Sequence, residues 1–159
     1  MEKWIETETT GSPFIIMDKI NVEKYNPKND LNDICSIKSY TGIIRKNNYN
    51  IFVFGDESFP LKMVNRNDEI LIFRWVYAPN NDIVDKIINE VFFNDLEIIE
   101  NIIIEWDTKN LVLFDSIKNF NETEEKIEIN LYNKNCIIKT MVYENYDTML
   151  LIHKILQNK

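Results

Sequence analysis

Short apolar runs alternate with clusters of Asn, Asp and Lys along most of the chain, and this pattern predicts strands. The clearest run is "DEILIFRWVYAP". Ile70, Ile72, Arg74 and Val76 point to one side of it, and Leu71, Phe73, Trp75 and Tyr77 to the other. Both sides are largely apolar, which predicts a central strand covered on both faces; Pro79 ends it. "SYTGIIRKNNYNIFVFGD" reads as a hairpin turning at "KNNYN", because Asn tolerates the left-handed backbone of such a turn. "WIETE", from Trp4, and "PFIIMDKI", from Pro13, read as two strands joined by Thr10-Gly11-Ser12. "IIIEW" and "LVLFDS" read as a second hairpin turning at "DTKN". From 127 to 132, Ile127, Ile129 and Leu131 point inward and Glu128 and Asn130 outward. "NKN" then leads into "CIIKTMVYE".

The period changes once. From 81 to 92, Ile83, Val84, Ile87, Ile88, Val91 and Phe92 recur at helical spacing, with Asn80 or Asn81 as N-cap. "NVEKYNPKND" reads as loop, marked by Pro27 and its asparagines, and "LNDICSI" as one helical turn before a strand. "DTMLLIHKILQ" is ambiguous: Asp147 suits a helix cap, but the segment reads better as a returning edge strand. The sum is roughly nine strands and one helix. The expected fold is mainly β (β-rich α+β), an antiparallel two-sheet sandwich or half-open barrel with one amphipathic helix near 81–92. Residues 1–159 read as one domain, with no Gly/Ser or Pro-rich linker and no internal repeat.

Composition changes the picture mainly through charge. With 18 basic and 26 acidic residues the formal net charge is −8. Neutralising a phosphate backbone or an anionic membrane needs the opposite sign, so neither nucleic acid nor a membrane surface is an expected partner. A basic protein or a cationic ligand fits better. No apolar run approaches the roughly 18 residues of a membrane span, and "MEKWIETETTG" lacks the pattern of a signal peptide, so a cytoplasmic location is expected. Cys35 and Cys136, each beside isoleucine, read as two buried free thiols, with one disulfide as the alternative. There is no CxxC pair, so no metal site and no cofactor are expected.

The tempting chemistry is "FVFGDES". An apolar strand ends in Gly55-Asp56-Glu57-Ser58, and the only histidine, His153, lies near Asp147. This resembles the Gly-Asp-Ser block of one esterase superfamily. However, Glu57 is inserted before Ser58, Asp147 and His153 are six residues apart rather than three, and three glycines are few for an oxyanion hole. His153 reads instead as a packed or edge-strand residue. Asp56, Glu57, Glu105, Asp107 and Asp115 could serve as paired acids, but each follows an apolar strand, where turn-capping is the usual role. Arg74, inside an apolar strand, must be partnered. Asp56 or Asp115 could supply an ion pair, and an external polar group is the alternative.

In their order along the chain, several motifs resemble immunity protein family 21 of bacterial polymorphic toxin systems. "WIETETTGSPFIIM" is similar to its opening, through Trp4, Gly11 and Pro13. "DICSIKSYTGIIRKNNYNIFVFGDES" is similar to its segment with cysteine, Tyr-x-Gly and Gly-Asp-Glu, through Cys35, Tyr40, Gly42, Gly55, Asp56 and Glu57. Ser58 stands where the family has proline. "IFRWVYAPN" is similar to its Arg-Trp-Val-Tyr strand, through Arg74, Trp75 and Tyr77; "LVLFDS", with Asp115, and the closing segment match as well. The resemblance implies a non-enzymatic inhibitor that binds a cognate toxin protein, with no catalytic residue. The acidic turns carrying Asp56, Glu57, Glu105 and Asp107 are the expected partner-binding positions. The loop acids Glu122, Glu124 and Glu125 read equally well as a solvated loop.

Overall fold

The computed structural model describes residues 3–7, 11–46, 48–66, 69–90 and 93–157. Ten strands form two antiparallel five-stranded sheets packed as a sandwich, with no closed barrel. The first sheet contains β1 (Phe14–Asp18), β2 (Thr41–Lys46), β3 (Tyr49–Phe54), β7 (Asn110–Asp115) and β8 (Lys126–Asn130), in the order β2-β3-β1-β7-β8. The second contains β4 (Leu61–Arg66), β5 (Glu69–Tyr77), β6 (Ile98–Glu105), β9 (Asn135–Glu144) and β10 (Met149–Gln157), in the order β4-β5-β10-β9-β6. Two α-helices, α1 (Pro27–Cys35) and α2 (Asn81–Glu90), and short 3-10 segments at Lys19–Lys24, Phe93–Asp95 and Phe120–Glu122 complete the elements among the described residues.

Strand alternation sets the layers. Ile16, Phe52 and Leu113 of the first sheet meet Ile72, Ile138 and Ile155 of the second in the central core. The opposite face of β5 carries Leu71 and Phe73, which pack with Val84, Ile87 and Ile88 of α2. Burying each such side chain stabilises by about 1.5–3 kcal/mol. As the alternation predicts, β5 is flanked by β4 and β10 and covered on both faces. Asn80 caps α2, its Oδ1 accepting from Ile83 N–H at 3.0 Å; Val91 and Phe92 lie outside the described residues. The β2–β3 hairpin forms as expected, with Asn48 left-handed at φ 71°.

Five expectations are corrected. α1 joins Pro27–Asp30, read as loop, to Leu31–Cys35, read as one helical turn, in a single nine-residue helix. Pro27 opens it rather than breaking it, since a missing N–H costs nothing in the first turn. Asn26 Oδ1 accepts from Lys28 N–H at 3.1 Å, and the Asp30 carboxylate accepts from Asn26 N–H at 3.0 Å. Second, "WIETE" contributes a single bridge, Ile5 to Leu61, instead of a strand; Ile5 enters the core while Trp4 turns onto Trp75. Third, β6 and β7 are consecutive but not a hairpin: β6 pairs with β9 and β7 with β1 and β8. The Asp18 carboxylate accepts from the N–H groups of Asp107 (3.1 Å) and Thr108 (2.7 Å), and this holds the chain as it crosses between sheets. Fourth, β10 is a strand, as expected, but central rather than at an edge, because it is apolar on both faces and pairs with β5 and β9. Fifth, both cysteines are free, but Cys35 is exposed at the end of α1; only Cys136 is buried.

Candidate functional site

The inward positions of β5 run Ile70, Ile72, Arg74, so the arginine enters the space between the sheets, where it is 1% exposed. Among the described residues no carboxylate forms an ion pair with it. It donates instead to three backbone carbonyls: Tyr40 O at 3.0 Å, Gly55 O at 2.6 Å and Glu57 O at 2.7 Å. Its guanidinium also lies 5.7 Å from the Phe54 ring centre and 5.3 Å from that of Phe59. Burial pushes the Arg74 pKa down to about 10, opposed by the fields of Asp56 and Glu100. The expected ion pair is thus replaced by a clamp on backbone. Arg's rigid fork of five donors suits converging carbonyls, and strand ends supply them. Asp115 sits elsewhere, on β7, accepting from Ser12 Oγ at 2.8 Å and Ile117 N–H at 3.1 Å.

The Ile37–Ser39 segment beside the clamp accounts for Gly42 and Gly55. A Cβ on Gly55 would lie 2.3 Å from Ser39 O, and one on Gly42 2.7 Å from Ile37 Cδ1. Only bare backbone lets β2 and β3 approach the Ile37–Ser39 segment. Gly55 N–H also donates to Tyr40 O at 2.9 Å. The turn's left-handed residue is Asp56, at φ 70°, a conformation that Asp tolerates better than most residues. Asp56 and Glu57 are exposed.

A polar row crosses the second sheet beside the clamp. His153, Thr140 and Glu100 stand opposite one another on β10, β9 and β6. His153 is fully buried, its Nδ1 is 2.8 Å from Thr140 Oγ1, and Nε2 has no partner. Burial, then the nearby Arg74 charge, holds its pKa well below 6.5, so the ring is neutral. The Glu100 carboxylate accepts from Tyr40 N–H (2.9 Å), Thr41 N–H (2.9 Å) and Thr41 Oγ1–H (2.7 Å), which ties β6 to β2. Glu100 was missed in the sequence, although its parity with Ile102 and Ile104 marks an inward carboxylate.

The Ser-His arrangement does not assemble. The Ser58 hydroxyl donates to the Ser12 carbonyl, and neither ring nitrogen of His153 bonds to it. The four expected partner-binding acids fall into two pairs. Asp56 and Glu57 follow β3 at one end. Glu105 is exposed at the other end, where Asn50 Nδ2, near the start of β3, donates to the Glu105 carbonyl at 3.0 Å. β3 separates the pairs by roughly 20 Å at about 3.3 Å per residue. Asp107, also exposed, accepts from Asn21 Nδ2 at 2.9 Å. Of the other motif residues, Trp4 meets Trp75 edge-on at 5.4 Å, Pro13 O accepts from Ser116 N–H at 3.0 Å, Tyr77 is exposed, and Gly11 is left-handed at φ 108°.

The surface has open clefts. One, of about 510 Å³, is lined by Trp4, Glu6, Pro60, Trp75, Val76 and Asn81. Another, of about 380 Å³, opens between the β4 and β8 edges, at Met63 and Ile129. Neither reaches Ser58 or His153. Among the described residues there is no group of three or more His, Cys, Asp or Glu placed to hold a metal, and no helix long and apolar enough to cross a membrane. No family model, curated protein or solved structure matches the chain.

Proposed function

We propose that this chain is an immunity-type inhibitor, a binder that neutralises a basic toxin domain in the cytoplasm. The observation that carries this reading is the Gly55–Ser58 turn. Its backbone is clamped by Arg74 while both of its carboxylates face solvent. A turn whose backbone is held before encounter leaves only the side-chain rotamers of Asp56 and Glu57 to be ordered on binding. A net charge of −8 steers a cationic protein toward them and raises the association rate by about 10- to 10³-fold at low salt. The side chains that could do chemistry, Ser58 and His153, are engaged in packing and backbone bonding, which also favours a binder over a hydrolase.

The test is growth rescue. The toxic C-terminal domain of a secreted protein encoded beside this chain is expressed with and without it. Relief of toxicity and a stable co-purified complex support the reading; toxicity that persists at full expression overturns it. The Trp4–Trp75 cleft favours a second reading, a small-ligand binder. That reading expects a ligand whose binding quenches tryptophan fluorescence and is lost in Trp75→Ala.

A further inference from the structure

Four strands end the two sheets: β2 and β8 in one, β4 and β6 in the other. A bare edge offers unpaired N–H and C=O groups to any extended chain, so natural edges are blunted with lysine, other charges, proline, bulges or shortness. Three edges here follow that rule with basic residues: β2 carries Arg45 and Lys46, β4 carries Lys62 and Arg66, and β8 has five residues and Lys126. β6 is different. It has eight residues, no base and no proline. Its one irregularity lies between Ile98 and Glu100, so Glu100 to Glu105 pair regularly with β9. Ile103 stands 77% exposed on it, with Ile98 at 47% and Ile99 at 41%. From Asp95 to Asp107 the sequence has five carboxylates and no base.

We infer that the β6 edge is the docking site for an extended segment of a protein partner, one carrying lysine or arginine among apolar residues, added as a further strand. This rests on the inhibitor reading and names its surface. Main-chain bonds to the edge would supply affinity, and alternate side chains would meet Ile103 and the flanking acids. The acids frame the strand. Glu100 reaches the Tyr40 backbone beside the Asp56-Glu57 turn, and Glu105 lies by Asn50 at the other end. The same charge argues against a second copy as occupant, since pairing two β6 edges would bring two acidic rows together.

Two arms test this. In the first, the full chain is titrated with an eight-residue peptide of alternating Arg and Val, and backbone amide exchange is read by NMR. The expected result is slowed exchange confined to β6, with Ile103→Lys or Glu105→Lys weakening binding by about tenfold or more. Both positions are exposed, so unchanged melting of the variants is expected and checks the fold. Protection at β2, β4 or β8, none at millimolar peptide, equal binding of a Glu/Val peptide, or a dimer burying β6 overturns the proposal. In the second arm, the variants enter the growth-rescue assay. Rescue and toxin affinity unchanged in both variants overturn the β6 assignment alone. Failure of the unaltered chain to rescue overturns the inhibitor reading, and the peptide arm still decides the edge.

Discussion

His153→Gln removes the only imidazole and leaves an amide that can still reach Thr140. The effect to measure is the pH dependence of stability. In the unfolded chain the ring titrates at its ordinary 6.5, whereas in the folded chain burial and Arg74 hold its pKa well below that. Below pH 6.5 the unfolded state therefore binds the proton that the folded state refuses, and stability falls as pH falls. Each pH unit below 6.5 through which the folded ring stays neutral costs about 1.36 kcal/mol. Carboxylates titrate in both proteins, so the difference isolates the histidine. Urea melts at stepped pH provide the assay. The glutamine variant loses some stability at pH 7.5, since a packed ring is gone, but its curve should be flatter and approach the parent's near pH 5. Parallel curves would refute the assignment of a buried, neutral His153.

Arg74→Met should cost about 3 kcal/mol, because it orphans the buried Gly55 carbonyl and takes one of two donors from the Tyr40 and Glu57 carbonyls, which keep the N–H groups of Gly55 and Phe59; Arg74→Lys, with fewer and less rigid donors, should recover only part of it in thermal melts. Gly55→Ala should cost about 2–3 kcal/mol, since its Cβ would stand 2.3 Å from Ser39 O and β3 must shift; a melt within a degree of the parent would show that the approach is looser than described. Cys35 should react at once with a thiol-reactive dye, while Cys136, buried with its pKa pushed up to about 11 by burial, should react only on unfolding. Two equally fast thiols would contradict the packing around β9.

The sequence identified faces better than partners. The alternation of β5 and β8 and the helical period of α2 reflect burial, a local property that each segment carries in its own residues. Pairing is not local. β6 and β7 look like a hairpin because a short polar stretch joins two apolar runs, yet the bond that decides their path comes from Asp18, far back in the chain. Nothing in residues 98–115 announces it. α1 was half-obscured for a different reason: Ile34 and Asp30 are its only buried side chains, so it has almost no apolar stripe to read, and only its second half, within "LNDICSI", reads as a helical turn. At the site, the sequence indicated that Arg74 needs partners but not that they would be carbonyls, because a backbone acceptor leaves no residue-specific mark.

The clamp and the polar row together suggest why a binder would keep costly groups inside. A one-residue slip of β10 against β9 would turn His153 outward and aim Ile152 at the Arg74 layer. A two-residue slip would keep the facing but part His153 from Thr140. An apolar interior alone would resist the first error strongly and the second weakly, since leucine for isoleucine, as at 150 and 152, is a mild exchange. Polar groups with one set of partners make both errors expensive. Arg74 extends that control across the sandwich, because its carbonyls belong to the segments flanking β2 and β3 in the opposite sheet. Losing Arg74 should therefore do more than lower stability: amides of 40–42 and 55–58 should exchange faster than those of β1 or β10. Uniformly faster exchange would mean that Arg74 stabilises the whole fold without fixing the turn. Local loss would tie the register inside the sandwich to the placement of Asp56 and Glu57 outside it.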